Sequence, residues 1–350
     1  MRLIAVNSGM WRTVGHERAV SVIRGAIDQD RLAHAYIIDG PENIGKMTLA
    51  IDLAKAVSCL GVEAPCGTCT QCIRIQGSKQ TDVRVIGDEV KEHNLISIDQ
   101  VREIQRESNL TPFEGSHRII IFNRADSLSQ EASNALLKFL EEPPDYVILV
   151  LLTLNKSRLP DTLISRCQLL ELRPVSNQII VDEISSRFHL DSESANEIAN
   201  ISGGRIGWAF RAAEDEGMLA KFYERLDAIQ DIVGHGTERR FAYVSSLTSS
   251  VGREAIFEEL SLWKTWFRNI ILVKEGMRKF ITYPSRTKML ETLSRSLTGV
   301  QVALAIRAIR KAEQNLDHNA NSRLALEMLM LELPILADGS AGNIPKNHND

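Results

Sequence analysis

The sequence predicts an α/β module built on a parallel sheet, followed by a small helical segment and then by an all-helical region. Three observations lead to this prediction. In the first half of the chain, short apolar runs typical of strands alternate with helical stretches. One of these runs leads into a glycine-containing loop that opens a helix. In the second half, apolar residues recur at helical spacing with few prolines or glycines.

Length and composition limit the classes of protein that fit. At 350 residues the chain exceeds what one hydrophobic core usually organises, so two or three domains are expected. The formal net charge of -4 excludes a globally basic nucleic-acid binder and leaves room only for a local basic face. The longest apolar run, residues 147–152, is too short to span a bilayer. We therefore expect a cytoplasmic protein whose thiols are reduced.

Five apolar runs are predicted to form the strands of the sheet. They are residues 35–38, 83–86, 118–122, 147–152 and 168–172. The alternation of strands and helices ends at residues 173–176, which include Pro174. Residues 178–200 then predict short helices that end at Gly203, and a further short helix is expected over residues 205–213.

The rest of the chain is predicted to be helical up to a polar tail. Apolar residues keep a helical spacing from about residue 218 to residue 333. The last residues combine Gly, Ser, Asn, Pro and His with almost no apolar side chains, which predicts disorder. The predicted divisions are therefore residues 1–172, 173–213 and 214–336, with a disordered tail over 337–350.

The loop from Gly40 to Lys46 is a candidate phosphate-binding loop. It follows an apolar strand and opens a helix, so backbone N–H groups of residues 41–46 could surround a phosphate, with Gly45 at the turn and Lys46 supplying charge. The next position normally offers a Ser or Thr hydroxyl to Mg²⁺. Here it is Met47, whose thioether is a poor ligand for a hard cation. We expect Mg²⁺ binding to be lost and leave ATP or ADP binding open.

The third predicted strand leads into positions where phosphoryl transfer needs carboxylates. Asn123 stands where an aspartate would bind the metal, and Arg124 stands where a glutamate would activate water. Neither side chain can act as a general base. Asp126 is interpreted as the N-cap of a helix that starts near Ser127 or Ser129. The sequence therefore predicts a chain that does not hydrolyse ATP by itself.

Four cysteines are predicted to bind a structural Zn²⁺. Cys66, Cys69 and Cys72 follow one another at two-residue gaps, and Cys59 precedes them by six intervening residues. Four thiolates in a tetrahedral array leave no open coordination position, which favours structural over catalytic zinc. A [4Fe–4S] cluster, a redox pair or free thiols are the alternatives, although the ferredoxin pattern of a fourth Cys followed by Pro is absent from the sequence. Cys167 is expected to be a buried small residue.

Several segments together resemble the bacterial clamp-loader branch of the AAA+ proteins. Besides the phosphate loop and the cysteine cluster, they are residues 14–20, 31–36, 134–144, 165–167 and 319–334. The resemblance covers nearly the whole chain before the tail. It implies an AAA+ module, a helical lid and a collar domain that holds a pentameric loader together. Such a loader, which serves DNA polymerase III, opens a ring-shaped sliding clamp and places it on primed DNA.

The resemblance implies a non-catalytic stator rather than a motor subunit. Arg166, in Ser-Arg-Cys, would be presented as an arginine finger to the ATP site of a neighbouring motor subunit, the alternative being a salt bridge within the module. Trp208 stands where the lid of an active subunit has an arginine for the γ-phosphate. The implied partners are motor subunits and a delta-type subunit in a hetero-pentamer, the sliding clamp, and primer–template DNA through the assembly. No membrane is implied, and the polymerase activity belongs to other subunits.

Other residues matching the family carry weaker expectations. Thr153 matches a polar residue that senses phosphate in relatives, and Arg102 matches a position from which relatives reach the DNA backbone. A lone helix arginine is more often a solvated charge. His16, His34 and Glu141 are expected to be structural.

Two other functions are possible alternatives. An ATP-hydrolysing motor subunit of the same loader would be favoured by acidic residues at 123 and 124 and by an arginine at 208. A stand-alone zinc-stabilised DNA-binding protein would need a basic surface of its own, which a pI near 6.1 does not suggest.

Overall fold

The computed structural model describes residues 10–87, 95–318 and 320–335. The chain divides into two compact units, the first formed by Met1–Glu183 with Gly204–Phe210 and the second by Ile184–Gly203 with Arg211–Asp350. The predicted disordered tail, residues 337–350, lies outside the described residues. The division into three domains remains a prediction.

A five-stranded parallel sheet forms the centre of the first unit. The strands are β1 (Ala35–Asp39), β2 (Val83–Ile86), β3 (Arg118–Phe122), β4 (Val147–Thr153) and β5 (Gln168–Glu171). Their spatial order is β2-β3-β4-β1-β5, and every neighbouring pair is parallel. All seven residues of β4 are buried, as expected of a strand covered on both faces. The predicted parallel α/β fold is confirmed.

Helices cover both faces of the sheet. They are α1 (Glu17–Asp28), α2 (Lys46–Ser58), α3 (Thr70–Gln76), α4 (Ile98–Ser108), α5 (Gln130–Glu141) and α6 (Asp161–Ile164). Successive side chains of a strand point to opposite faces. Tyr36 and Ile38 of β1 accordingly pack with Leu49 of α2 in one apolar cluster, while Ile37 packs with Leu136 of α5 in the other.

The described residues that follow β5 contain helices and no strand. The helices are α7 (Asn177–Phe188), α8 (Ser192–Ser202), α9 (Ile206–Glu214), α10 (Glu216–Gly234), α11 (Thr237–Ser250), α12 (Arg253–Lys274), α13 (Thr287–Ser296), α14 (Gly299–Asp317) and α15 (Ser322–Glu332). α8 ends at Gly203, as the sequence predicts. Among the helices that the structure describes, none combines the length and the apolarity needed to cross a bilayer. The predicted helical second half is confirmed.

A buried arginine joins distant parts of the second unit. Arg240 of α11 is only 2% exposed. It donates to main-chain carbonyl oxygens near the ends of α10 and α15, those of Ile232 (3.1 Å), Val233 (3.4 Å), His235 (3.0 Å), Met330 (2.8 Å), Leu333 (2.9 Å) and Pro334 (2.6 Å). Carbonyls at helix ends lack partners within the helix, and Arg240 supplies donors to them. This one side chain therefore holds the C-terminal end of α15 beside α10 and α11.

Candidate functional site

The phosphate loop lies between β1 and α2 and is held by two residues from outside it. Gly45 caps α2 with a φ of 108°, a left-handed conformation that favours glycine. The Nε2 atom of His16 lies 2.9 Å from the carbonyl oxygen of Ile44. The backbone N–H of Gly207 donates to the carbonyl oxygen of Asn43 at 2.8 Å. The loop backbone therefore has a defined shape, and the contact of His16 agrees with its expected structural role.

Lys46 bonds to the phosphate loop itself. Its Nζ donates to the carbonyl oxygens of Gly40 at 2.7 Å and Pro41 at 2.8 Å. Burial lowers the pKa of Lys46 to about 8, and three nearby carboxylates oppose this shift, those of Glu42, Asp126 and Asp39. A phosphate that entered the loop would compete with these two carbonyls for the donors of the Lys46 ammonium group.

The carboxyl ends of β1, β3 and β4 bring the loop and the substituted catalytic positions together. The N–H of Gly40 donates to the carbonyl oxygen of Thr153 at 3.2 Å. The Thr153 side chain is fully buried, and its hydroxyl accepts from the N–H of Asn155 at 3.2 Å. Asn123 and Arg124 directly follow β3, which pairs with β4. The carboxyl edge of the sheet thus brings together the residues predicted to form a nucleotide site, and positions 123 and 124 carry no carboxylate.

The side chains of Met47 and Trp208 both pack as apolar groups. Met47 packs against the apolar cluster that contains α2. Trp208 is buried, and the guanidinium of Arg205 lies 6.0 Å from the centroid of its ring. A thioether packed on the core and a buried indole provide neither a hard-metal ligand nor a charge for a γ-phosphate.

Asp126 is not the N-cap of α5, so this prediction is wrong. Ser129 caps the helix, accepting from the N–H of Ala132 at 3.1 Å. Asp126 lies in the 3-10 turn Ala125–Ser127, beside the end of β4, where its Oδ1 accepts from the N–H of Leu154 at 3.4 Å. The turn adds residues between the strand and the helix, which places the aspartate too early to cap the helix.

The four predicted zinc ligands lie together. The Sγ atoms of Cys59, Cys66, Cys69 and Cys72 are all within 4.8 Å of one another. Tetrahedral zinc with Zn–S bonds of about 2.3 Å places its sulfurs about 3.8 Å apart, so the set fits a zinc ion. Residue 61, two positions after Cys59, has to be small, because a Cβ on Gly61 would lie 2.9 Å from the Cβ of Cys66.

Main-chain N–H groups point at these sulfurs, as expected around thiolates. The N–H groups of Gly61 and Cys66 lie 3.3 Å from the Sγ of Cys59, and that of Cys69 lies 3.3 Å from the Sγ of Cys66. Such donors lower the pKa of the Cys66 thiol to about 6, whereas burial raises the pKa of Cys72. The cluster begins at the C-cap of α2, about 20 Å along that helix from the phosphate loop.

Arg166 follows α6 and forms the salt bridge considered as its alternative role. Its Nη2 lies 2.8 Å from the Oε1 of Glu141, and its Nη1 donates to the carbonyl oxygen of Thr162 at 2.9 Å. The side chain of Arg166 is 36% exposed and that of Glu141 is 52% exposed. The sequence offers no local signal for this pair, because the two residues are 25 positions apart.

The remaining candidates are less informative. Arg102 is exposed on α4 and lies 3.9 Å from Asp99 of the same helix. An exposed pair of this kind contributes little. The carbonyl of His34 accepts from the N–H of Leu149 in the sheet. Cys167 is half-buried against the apolar cluster of α5, and burial raises the pKa of its thiol to about 12.

Comparisons with known proteins find subunits of DNA polymerase III. Residues 15–176 match the profile of a family described as "DNA polymerase III, delta subunit". The delta' subunit of DNA polymerase III from Bacillus subtilis is 28% identical, and the match covers 90% of this chain and 95% of that protein. The tau subunit from the same organism is 24% identical over 95% of this chain but only 62% of its own length.

One match among solved structures is a gamma subunit-related protein of DNA polymerase III from Thermotoga maritima. It is 18% identical, the match covers 90% of this chain and 98% of that one, and the TM-score is 0.44. The sequence matches cover most of the chain. On these grounds the chain is similar to the delta-prime subunits of DNA polymerase III.

Proposed function

We propose that this chain is a non-catalytic stator subunit of a bacterial DNA polymerase III clamp loader. In this role it presents Arg166 to the ATP site of a neighbouring motor subunit while a sliding clamp is loaded on primed DNA. The observation that carries the proposal is a phosphate loop with an intact fold beside substituted catalytic positions. The sheet, loop and helix of a nucleotide site are present, and the groups that perform its chemistry are replaced.

Three separate parts of phosphoryl transfer are affected. The hydroxyl for Mg²⁺ is replaced by Met47, the two carboxylates are replaced by Asn123 and Arg124, and the lid arginine is replaced by Trp208. These parts act together, since catalysis of phosphoryl transfer is mostly positioning and charge stabilisation. Restoring any one of them leaves the others missing. A motor subunit, the alternative function, needs all of them.

Arg166 has the chemistry that a finger requires. A guanidinium stays charged at any physiological pH and can donate to two phosphate oxygens at once. Its side chain is 36% exposed at the end of α6, so a partner can reach it. Its present partner is an exposed carboxylate, and pairs of this kind are worth about 0–1 kcal/mol. A phosphate could therefore replace Glu141 at little cost.

An apolar stripe on α15 supports assembly with other subunits. Leu324, Met328 and Leu331 are exposed although they follow one another at helical spacing. Exposed apolar surfaces of this kind mark contacts with other proteins. We assign this stripe to the collar of a hetero-oligomeric loader in the cytoplasm. The partners in that loader are motor subunits and a delta-type subunit, with the clamp and primer–template DNA engaged by the assembly.

Zinc at the cysteine cluster has a structural role in this proposal. Cys59, Cys66, Cys69 and Cys72 would hold the ion. A closed set of four thiolates offers no position for a substrate or a water molecule. The metal would instead join the C-terminal end of α2 to α3, in a stretch of chain with little core of its own.

The experiment is a single-turnover measurement in a reconstituted loader whose only active ATP site is the one next to this subunit. Arg166→Ala should leave assembly intact and slow hydrolysis at that site by about 10³-fold or more. Arg166→Lys keeps the charge but cannot donate to two phosphate oxygens in the geometry of a guanidinium. Hydrolysis in this variant should therefore also be slow. An unchanged rate in the alanine variant would show that Arg166 is only structural.

A further inference from the structure

We propose that Glu141 is a positioning residue for Arg166, holding its guanidinium in the orientation that meets the neighbouring ATP site. This inference rests on the proposed function, since it describes how this chain would prepare the finger before a phosphate arrives.

Both side chains of the pair start from a rigid base. Glu141 is the last residue of α5 and follows Leu140, which is buried in the apolar cluster on that face of the sheet. Arg166 lies three residues after Leu163, which is buried in the same cluster. A site supported by packed helices is held more precisely than one on a loop. The distance between the two side chains is therefore set by the core.

The guanidinium is fixed at two of its corners. Nη1 donates to the carbonyl oxygen of Thr162 at 2.9 Å and Nη2 to the Oε1 of Glu141 at 2.8 Å. A guanidinium has five N–H donors in one plane, so two such bonds define the direction of that plane. Without the bond to Glu141, the bond to Thr162 would be the one hydrogen bond from the guanidinium to the described residues that still limits the rotation of the long side chain.

The position of Glu141 is unfavourable for the helix that carries it. The C-terminal end of a helix carries a partial negative charge, which disfavours a carboxylate there. A cation beside the carboxylate offsets that cost, and Arg166 is such a cation. A residue that breaks a local rule in this way indicates a requirement from elsewhere in the structure. We assign that requirement to the orientation of Arg166.

A fixed guanidinium speeds the reaction because less of its freedom is lost when the phosphate arrives. Misplacing a group by about 1 Å can cost about 10²-fold in rate. The carboxylate is exposed and the pair is weak, so Glu141 holds the finger without competing strongly with a phosphate. The expected effect of removing Glu141 is therefore a slower reaction, smaller than the effect of removing Arg166.

The test uses the same loader with one active site and adds Glu141→Ala. We expect the single-turnover rate to fall by about tenfold. Glu142→Ala removes an exposed carboxylate from the next residue and is the matched control, with a rate within twofold of the wild type. Glu141→Gln keeps an oxygen acceptor and should recover part of the loss. A rate that rises in Glu141→Ala, or that matches Glu142→Ala, overturns the inference.

A double-mutant cycle separates positioning from structural damage. In an Arg166→Ala background, Glu141→Ala should have no further effect, because its target is already absent. A tenfold loss that persists in this background would show that Glu141 acts through the fold and would overturn the inference. If Arg166→Ala alone leaves the rate unchanged, the proposed function itself fails. If Arg166→Ala slows the reaction and Glu141→Ala does not, only the inference fails.

Discussion

The Nζ of Lys46 lies 2.7 Å from the carbonyl oxygen of Gly40, so the lysine of the phosphate loop is bonded to that loop. The side chain is partly buried, and this burial lowers the pKa of Lys46 to about 8. Folding therefore disfavours the charged form of this lysine. The contribution of Lys46 to the free energy of unfolding therefore depends on pH, and this dependence can be measured.

The first prediction concerns Lys46→Met and pH. The folded pKa is about 8 and the ordinary value is 10.5, so between these values the unfolded chain binds more protons than the folded chain. The stability of the wild type relative to Lys46→Met should therefore rise with pH through this interval, by about 2 kcal/mol between pH 7.5 and pH 9.5. Urea unfolding at both pH values measures it. Lys79→Met, at an exposed site, controls for the loss of a lysine, and a difference that does not change with pH would contradict the prediction.

The second prediction is one tightly held Zn²⁺ per chain, bound by four sulfurs at about 2.3 Å. Elemental analysis of protein made without a metal-binding tag gives the content, and X-ray absorption gives the ligands. Cys72→Ser should lose the metal and lower the unfolding temperature. Cys167→Ser, which removes a thiol away from the cluster, should keep it. Protein that contains iron, or no metal, would exclude the zinc site.

The third prediction is that the purified chain has no measurable ATPase activity. Asn123→Asp combined with Arg124→Glu should still give none, because the hydroxyl for Mg²⁺ and the lid arginine are missing. Met47→Thr and Trp208→Arg would have to be added to these two changes. Turnover by the wild-type chain that disappears in Lys46→Ala would refute the stator proposal.

The fourth prediction concerns Arg240. Replacing it with Met should destabilise the second unit by about 3–5 kcal/mol, because several buried carbonyl oxygens would lose their donor at once. Arg239→Ala is the matched control. Arg239 is exposed and pairs with Asp231, so its loss should cost less than about 1 kcal/mol.

Tryptophan fluorescence can follow the second unit separately. Trp263 and Trp266 are buried in α12, and the two other tryptophans, Trp11 and Trp208, belong to the first unit. Replacing Trp11 and Trp208 with Phe leaves a signal from the second unit alone. Equal midpoints of urea unfolding for Arg240→Met and Arg239→Ala would show that the buried arginine contributes nothing beyond an ordinary surface charge.

The sequence predicts the central strands of the sheet well because these strands are covered on both faces. β4 is a continuous apolar run, and its predicted bounds differ from the observed ones only at Thr153, a polar residue at the strand end. The cysteine cluster is predictable for another reason. Only a few residues separate one cysteine from the next, so the four thiols have to lie near one another in space. Both features depend on residues that are near one another in the chain.

Contacts between distant residues are not predictable in this way. The predicted role of Asp126 is wrong. Whether Asp126 or Ser129 caps α5 depends on a short turn and on the position of the end of β4. The pairing of Glu141 with Arg166 depends on the packing of α5 against α6. In the sequence, each of the two residues is indistinguishable from an ordinary surface charge. Only the fold brings them together.

The contacts of Arg240 also set an order for folding during synthesis. Its acceptors at Met330 and Pro334 lie 90 and 94 positions later in the chain. A ribosome adds about 5–20 residues per second, so α11 emerges several seconds before its partner carbonyls exist. Until then the guanidinium has to stay in water, and the helices that bury it cannot close around it. The nascent chain can thus complete its five-stranded sheet early, whereas the helical unit closes only when α15 arrives.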